Sequence, residues 1–452
     1  MTAYAIATPE RVATAAGVRA FDAGGNALDA ALAAAATLAV TYPHMCGVGG
    51  DLFALVRAPD GTVESINASG PAPALADPAA LGDWMPESGV ATITVPGAVA
   101  GWERLHALGA ALPWAGAFET AVACAEEGFD VPPSLAAAIA ATEVLAPADR
   151  LRQPALAATL RALASDGAGA LYGGEVGARL AEGLERRGSW LRLADLAGFR
   201  VEVTPPLAGS FRGLAVLTSP PNSSGFLLLR ALEALDAAGG GDAAFLAGVF
   251  QEGMRERART LGDLRFVPRG DTVAVVTADA SGRAVSLIQS LFHSFGSGVL
   301  EPATGIVLHN RGAAFSLEPG HPNRLAPGRR PAHTLMPVMV TREGALLGVL
   351  GTMGGAVHAQ IHTQVLLRLL DGASAQEAVA APRWTVGAVG DGAVRMEADV
   401  DDGTRAALER AGLPIAGVEA RSQAVGHAQA IWAGGALDAG SDPRSDGAAA
   451  AG

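Results

Sequence analysis

The sequence predicts an α+β protein built of stacked layers, and three observations carry that prediction. Helical patterning is concentrated between residues 98 and 261, and strand patterning resumes at residue 271. The strand runs are separated by short turn chemistry, as antiparallel hairpins require, rather than by crossover helices. Gly (58) and Pro (27) together stay below the roughly 25–30% of low-complexity chains, and half of the 452 residues are apolar, so a large core is available.

Thr8-Pro9 offers a capping hydroxyl and a proline at a first helical position, and Gly24-Gly25 stops the run, which predicts a helix over residues 9–23. Asn26 stands three residues before Asp29, a capping-box spacing, and the alanine-rich run to Thr41 predicts a buried helix that Pro43 ends. After a tight loop at 44–51, runs at 52–58 and 62–68 flank Pro59-Asp60-Gly61 and predict a hairpin. The helical block includes 97–108, 134–144 and 227–235. Residues 272–279 and 283–292, around Ala280-Ser281-Gly282, predict a second hairpin. Further strands are expected at 305–310, 335–341 and 345–350, and a helix at 356–370. From Asp446 onward an Asp-Gly pair and alanines predict a frayed tail.

Composition excludes several chemistries. The chain has no lysine, so all 32 basic residues are arginine. A Walker A loop, a pyridoxal Schiff base, a protein-kinase site and a Ser-x-x-Lys hydrolase each need that lysine. A net charge of −13 gives no basic field for nucleic acid or an anionic membrane. Cys46 and Cys124 support neither a disulfide framework nor a four-cysteine metal site, and read as core residues. No basic segment precedes an apolar run in residues 1–24, and the stretch 30–40 is shorter than the ~18 residues of a spanning helix. A cytoplasmic protein without cofactor is expected.

No serine has glycine two residues before and two after it, so the nucleophile elbow of α/β-hydrolases is absent. His358 and His362 have the spacing of paired metal ligands, but Ala359 stands where H-E-x-x-H needs its glutamate, and packing roles are expected. Gly47-x-Gly49-Gly50 lies between a helix and a strand, the reverse of a dinucleotide loop. A remaining option is a threonine whose own α-amine, with a pKa near ~7.7–8, serves as base once cleavage makes it N-terminal. Arg269-Gly270-Asp271-Thr272-Val273 places such a threonine at the start of a hairpin, although strand-opening threonines are also common structural residues.

The surrounding blocks add to this. Gly24-Gly25-Asn26-Ala27-Leu28-Asp29-Ala30-Ala31, Gly47-Val48-Gly49-Gly50-Asp51, Thr94-Val95-Pro96-Gly97 and the segment 220–225 occur in that order. Asp271-Thr272, Phe295-Gly296-Ser297-Gly298, Arg330-Pro331, Gly354-Gly355 and Ser441-Asp442-Pro443-Arg444-Ser445 follow. Across nearly its whole length the chain resembles the γ-glutamyltranspeptidase-like family of N-terminal nucleophile hydrolases. The resemblance implies a four-layer αββα sandwich, made as a proenzyme that cuts itself between Asp271 and Thr272. Residues 1–271 would form a large subunit and 272–445 a small one within one intertwined unit, with 446–452 as a flexible tail. Thr272 would form the acyl-enzyme, Gly354 and Gly355 would hold the oxyanion, and Ser290 matches a family threonine that hydrogen-bonds the nucleophile.

Departures from the family pattern bear on the substrate. Where the family reads Thr-Thr-His, this chain has Thr272-Val273-Ala274. Where γ-glutamyl enzymes grip the glutamate with arginine, asparagine, glutamine, aspartate and two serines, it has Ser69, Phe292, Arg311, Ala314, His333 and Thr334. Losing the aspartate removes the partner of a substrate ammonium, whose unpaired burial costs several kcal/mol. The pattern looks like the branch that includes oxamate amidohydrolase and cephalosporin-acylase-like proteins. Arg311 suits a substrate carboxylate, or else a structural ion pair with a residue such as Glu318. The expectation is a threonine amidohydrolase or acyltransferase acting on a small carboxylate-bearing amide without metal. Against it stand a γ-glutamyl hydrolase or transpeptidase with a rebuilt pocket, and an unprocessed, catalytically silent binding protein. Assembly into a dimer of heterodimers is left open.

Overall fold

A computed structural model describes residues 3–261, 271–387 and 392–452. Arg269 and Gly270 of the cleavage motif lie outside the described residues. Asn26 and Asp29 form the expected capping box at the head of the helix Ala27–Thr41, every residue of which is buried. The first helix begins later than expected. Tyr4–Thr8 is a strand, and the helix Arg11–Asp22 is capped by Glu10, whose carboxylate accepts from the Val12 and Ala13 amides at 2.8 and 3.0 Å. Thr8 therefore ends a strand instead of capping a helix.

Two large sheets organise the chain. The first runs Ala448–Ala451, Tyr4–Thr8, Asp271–Asp279, Ala284–Phe292, Asp51–Arg57, Val63–Ala68, Glu202–Thr204. The second runs Asp438–Ser441, His427–Trp432, Ala345–Met353, Val338–Arg342, Leu214–Thr218, Leu207–Phe211. Both corrections to the sequence reading are visible in this order. The segment expected to fray pairs as Ala448–Ala451 with Tyr4–Thr8, and Asp446 is anchored by the Tyr42 hydroxyl at 2.8 Å. Three strands, Glu202–Thr204, Leu207–Phe211 and Leu214–Thr218, interrupt the block read as helical.

The sheets meet face to face. Ala5, Ala7, Leu55, Val276 and Ala278 of the first pack on Met339, Val349 and Ile431 of the second. The approach is close enough that a Cβ on Gly351 would lie 2.7 Å from that of Ala274, so glycine is required there. On the far face of the first sheet Val273, Val275, Val285 and Leu287 join the core of the Ala27–Thr41 helix. On the far face of the second, Val338, Val340, Leu350, Ala428 and Ala430 pack with Leu228, Leu232, Ile361 and Val365 of its covering helices. Each such buried leucine, isoleucine or valine contributes about 1.5–3 kcal/mol. Among the described residues no helix is long and apolar enough to cross a membrane.

Candidate active site

Strand register assembles the site. Thr272 pairs with Ser290, and Ser290 pairs with Asp51, so three polar residues stand in one row across three neighbouring strands. With side chains alternating along each strand, Thr272 shares its face with Ala274 and Val276, which look toward the second sheet. The Thr272 hydroxyl donates to Ser290 Oγ at 3.0 Å, and Ser290 donates in turn to the Asp271 carbonyl oxygen, also at 3.0 Å. Ser290 Oγ further accepts the Phe292 amide at 2.8 Å, which uses the full capacity of one hydroxyl. Thr272 and Ser290 are both buried.

A β-bulge between Ser290 and Phe292 follows, with Phe292 at φ 81°, a conformation a bulky residue adopts only under constraint. Its ring stacks on the Arg311 guanidinium at 4.1 Å and on His293 at 4.4 Å. Arg311 opens a short 3-10 turn and is itself buried. It donates from Nε to Asp51 Oδ2 at 2.9 Å, and its terminal nitrogen lies 3.5 Å from Ser290 Oγ. Its ion pair thus runs to Asp51.

Asp51 is the hub that sequence reasoning passed over. The same Oδ2 accepts from His333 Nε2 at 3.0 Å and lies 3.2 Å from His309 Nδ1, while Oδ1 faces the Gly70 amide at 3.4 Å. His333 Nδ1 accepts the Thr334 and Leu335 amides, which fixes the proton on Nε2. His309 is held on its other side by the Thr94 carbonyl at 3.0 Å. Burial alone would raise the Asp51 carboxyl, but His309 and His333 facing it hold it well below the ordinary value. Burial, and then the Arg311 charge, push His333 down to about 3, so it donates to Asp51 as a neutral ring. The available signal was positional: a carboxylate opening an otherwise apolar strand directly after Gly49-Gly50.

Gly354 and Gly355 end the strand Ala345–Met353. Gly351 lies over Ala274, and stepping two residues along each strand brings Met353 and the glycine pair to the level of Thr272. A Cβ on Gly354 would stand 2.5 Å from Ile361 Cδ1, and Gly355 has φ 57°. Both positions therefore favour glycine.

Comparison with known proteins settles the relationship. A family model described as gamma-glutamyltranspeptidase matches residues 13–269 and 251–452. The oxamate amidohydrolase proenzyme of Klebsiella pneumoniae is 35% identical over 94% of each chain. The chain belongs to the γ-glutamyltranspeptidase family. The Acylase ACY 1 proenzyme of Pseudomonas sp. strain V22 is 31% identical over 85% of this chain and 83% of its own. The crystal structure of cephalosporin acylase from Bacillus halodurans superposes with a TM-score of 0.89 at 32% identity, covering 99% of this chain and 96% of that one. The mixed helix and sheet fold is that of this family's acylases, and the chain is an enzyme of the N-terminal nucleophile hydrolase kind.

The remaining substrate-side positions divide into two groups. Phe292 and Ala314 line a cleft of about 530 Å³ with Trp84, Met85, Phe315 and Arg324. Ser69 instead bonds Asn67 Oδ1 at 2.7 Å and accepts from Asn222 at 3.2 Å, and its carbonyl takes the Arg330 guanidinium at 2.9 Å. It reaches the Asp51 cluster through its neighbour Gly70 and through Asn222, whose backbone carbonyl accepts the His333 amide at 2.8 Å. Thr334 contributes its backbone amide to His333. His362 is satisfied at Nε2 by the Met336 carbonyl at 2.9 Å, the packing role expected of it.

Proposed function

We propose that this protein is a self-processing threonine amidohydrolase or acyltransferase that cleaves a small carboxylate-bearing amide through a Thr272 acyl-enzyme. One observation carries the reading: Ser290 Oγ lies 3.0 Å from both the Thr272 hydroxyl and the Asp271 carbonyl oxygen. In the uncut chain that hydroxyl can relay a proton, taking the one from Thr272 Oγ1 while giving its own to the Asp271 carbonyl oxygen. From there it passes to the Thr272 nitrogen as the peptide bond breaks. Attack by Thr272 Oγ1 on the Asp271 carbonyl carbon moves the acyl group from nitrogen to oxygen. Water then releases the Asp271 carboxylate and leaves Thr272 with a free α-amine, the base for later turnovers. Gly354 and Gly355 amides would stabilise the oxyanion.

Cleavage would not separate the halves. In both sheets strands from before Asp271 and strands from after it are hydrogen-bonded neighbours. The large subunit is 1–271, and the small one runs from Thr272 through the last strand, which joins it to Tyr4–Thr8. The four-layer αββα description fits two facing sheets with helices outside each. A cytoplasmic heterodimer, alone or paired with a second, is the assembly we infer.

Substrate choice follows from the charges beside Thr272. Ala314 cannot pair an ammonium and Phe292 cannot hydrogen-bond one, which disfavours a γ-glutamyl group. The Arg311 terminal nitrogen next to Ser290 is the cation available to a substrate carboxylate. The test is a panel of carboxylate-bearing amides, their neutral esters and a γ-glutamyl anilide, assayed on parent and Arg311→Gln. In the folded, processed fraction Arg311→Gln should lower the acid-over-ester ratio of kcat/KM by roughly 10- to 150-fold, the ~1.5–3 kcal/mol of a charged hydrogen bond. Unchanged preference for acids, or efficient turnover of the anilide by the parent, would overturn the substrate reading.

A further inference from the structure

Thr272 and Ser290 look into the layer between the sheets, and that layer is not apolar throughout. His427 pairs with Met353 and Gln429 with Gly351, and directly opposed residues of an antiparallel pair share a face. Gly351 faces Ala274, and Ile431, next in the alternation, packs on Val349 and Val276. His427 and Gln429 therefore point between the sheets, at the level of Thr272 and Ala274. Gly426, just before His427, packs against Gly354 Cα. His358 heads the helix His358–Leu370, with its ring edge 3.8 Å from where a Gly354 Cβ would be.

These side chains are all buried, and so is His44 in the loop before Asp51. Both ring nitrogens of His44, His358 and His427, and both amide heteroatoms of Gln429, make no hydrogen bond with any described residue. Leaving a buried polar atom unsatisfied costs about 1–3 kcal/mol, and buried polar atoms of this kind are met by ordered water. Burial pushes His427 down to about 4 and His44 to about 3, and holds His358 well below its ordinary value. A neutral imidazole has one donor and one acceptor, so each ring can both give to and take from a water molecule. Among the described residues no group of three or more His, Cys, Asp or Glu side chains is placed to hold a metal ion.

The opposite side of the nucleophile is different. There Phe292, whose amide bonds Ser290 Oγ, lines the cleft, while Thr272 in the uncut chain is 2% exposed. Hydrolysis of an acyl-enzyme needs an oriented water, and His358, His427 and Gln429 carry unpartnered donors and acceptors that can orient one. We propose that His358, His427 and Gln429 hold ordered water beside Thr272 and that this internal water hydrolyses the acyl-enzyme. The water oxygen bonds to the acyl carbon and its proton passes to the Thr272 α-amine. The bond from the acyl carbon to Thr272 Oγ1 then breaks, and that proton returns to Oγ1 as the acid leaves. His358 and His427 are positioning residues in this step, and the proposal rests on the Thr272 acyl-enzyme reading.

The experiment uses the processed enzyme and 4-nitrophenyl hydrogen glutarate as an acylating probe. In His358→Leu and His427→Leu the nitrophenolate burst should persist while the steady-state rate falls by at least about tenfold. The acyl group should accumulate on the small subunit by intact mass, and hydroxylamine, a stronger nucleophile that does not depend on the histidines for orientation, should restore turnover. His358→Gln and His427→Gln, which keep a donor and an acceptor, should deacylate nearly as the parent does. Steady-state rates equal to the parent in the leucine variants would overturn the proposal. So would equal losses of burst and steady state without acyl-enzyme, or glutamine variants as slow as the leucine ones. Independently of activity and of leucine-variant folding, a crystal structure of the parent should show ordered water within hydrogen-bond distance of the His358 and His427 nitrogens, and dry nitrogens would overturn it. A parent that never acylates at Thr272 would instead sink the acyl-enzyme reading, a separate result.

Discussion

Removing either member of the Asp51 and Arg311 pair should destabilise the chain far more than removing both. The two groups meet at 2.9 Å with side chains 0% and 1% exposed, so solvent screens neither. Asp51→Asn leaves a buried guanidinium facing uncharged partners, and Arg311→Gln leaves a buried carboxylate with His333 and His309. Each single change should cost about 3–5 kcal/mol, the range for breaking one side of a buried ion pair. The double variant Asp51→Asn with Arg311→Gln replaces the charges by two amides and should recover much of the loss. A double loss smaller than either single loss makes the coupling energy larger than a single loss, more than about 3 kcal/mol. Urea unfolding in a Thr272→Ala background, where every variant stays one uncut chain, measures it. Losses that simply add, with a coupling near zero, would refute the pairing and with it the account of how Arg311 is held beside Ser290.

Two further outcomes follow from the same geometry. Ser290→Ala removes the donor to the Asp271 carbonyl, and self-cleavage should slow by about 10²- to 10³-fold, while Ser290→Thr keeps a hydroxyl and should still cut; equal rates for Ser290→Ala and parent would exclude Ser290 from the step. Acid should weaken the fold through its buried histidines. His44, His333 and His362 are held by burial at about 3 and His427 at about 4, against an ordinary 6.5. Below 6.5 the unfolded chain takes up protons that the folded chain refuses, so their contribution is complete above that pH and is lost as pH falls toward 4. Asp51, lowered instead of raised, keeps its own contribution throughout that window and loses it only as pH falls through its depressed folded value. The urea midpoint should therefore hold from pH 8 to about 7 and then drop toward pH 5, less steeply in His427→Gln, and a flat profile down to pH 5 would contradict the buried neutral rings.

The sequence was most readable where one local signal decided the outcome. The Asn26 to Asp29 capping box and the Pro59-Asp60-Gly61 and Ala280-Ser281-Gly282 turns each specify their own geometry, and the strand hairpins emerged with them. Ala448–Ala451 was illegible because an all-alanine segment has little strand propensity and is a strand only because Tyr4–Thr8, far away in sequence, pairs with it. Tyr4–Thr8 was passed over because Thr8-Pro9 reads as a helix start. The strands from Glu202 to Thr218 were lost within a helical stretch because each is only three to five residues long, too short for its alternation to stand out. Within the site, Thr272, Ser290 and the glycine pair came from motif order. Asp51 did not stand out, because its meaning lies in three partners more than 250 residues away: His309, Arg311 and His333. Glu318 was the nearer acidic residue in sequence to Arg311, and sequence distance was the wrong guide.

The most direct test is the identity of the new N-terminus. Purified full-length chain, incubated without any protease, should convert to fragments of about 27 and 18 kDa, from the share of 45.3 kDa on either side of the Asp271–Thr272 bond. Intact mass and N-terminal sequencing of the smaller one should begin at Thr272, and Thr272→Ala should stay whole and inactive. A chain that remains uncut after prolonged incubation, a cut elsewhere, or a Thr272→Ala variant as active as the parent would contradict the assignment of Thr272 as nucleophile.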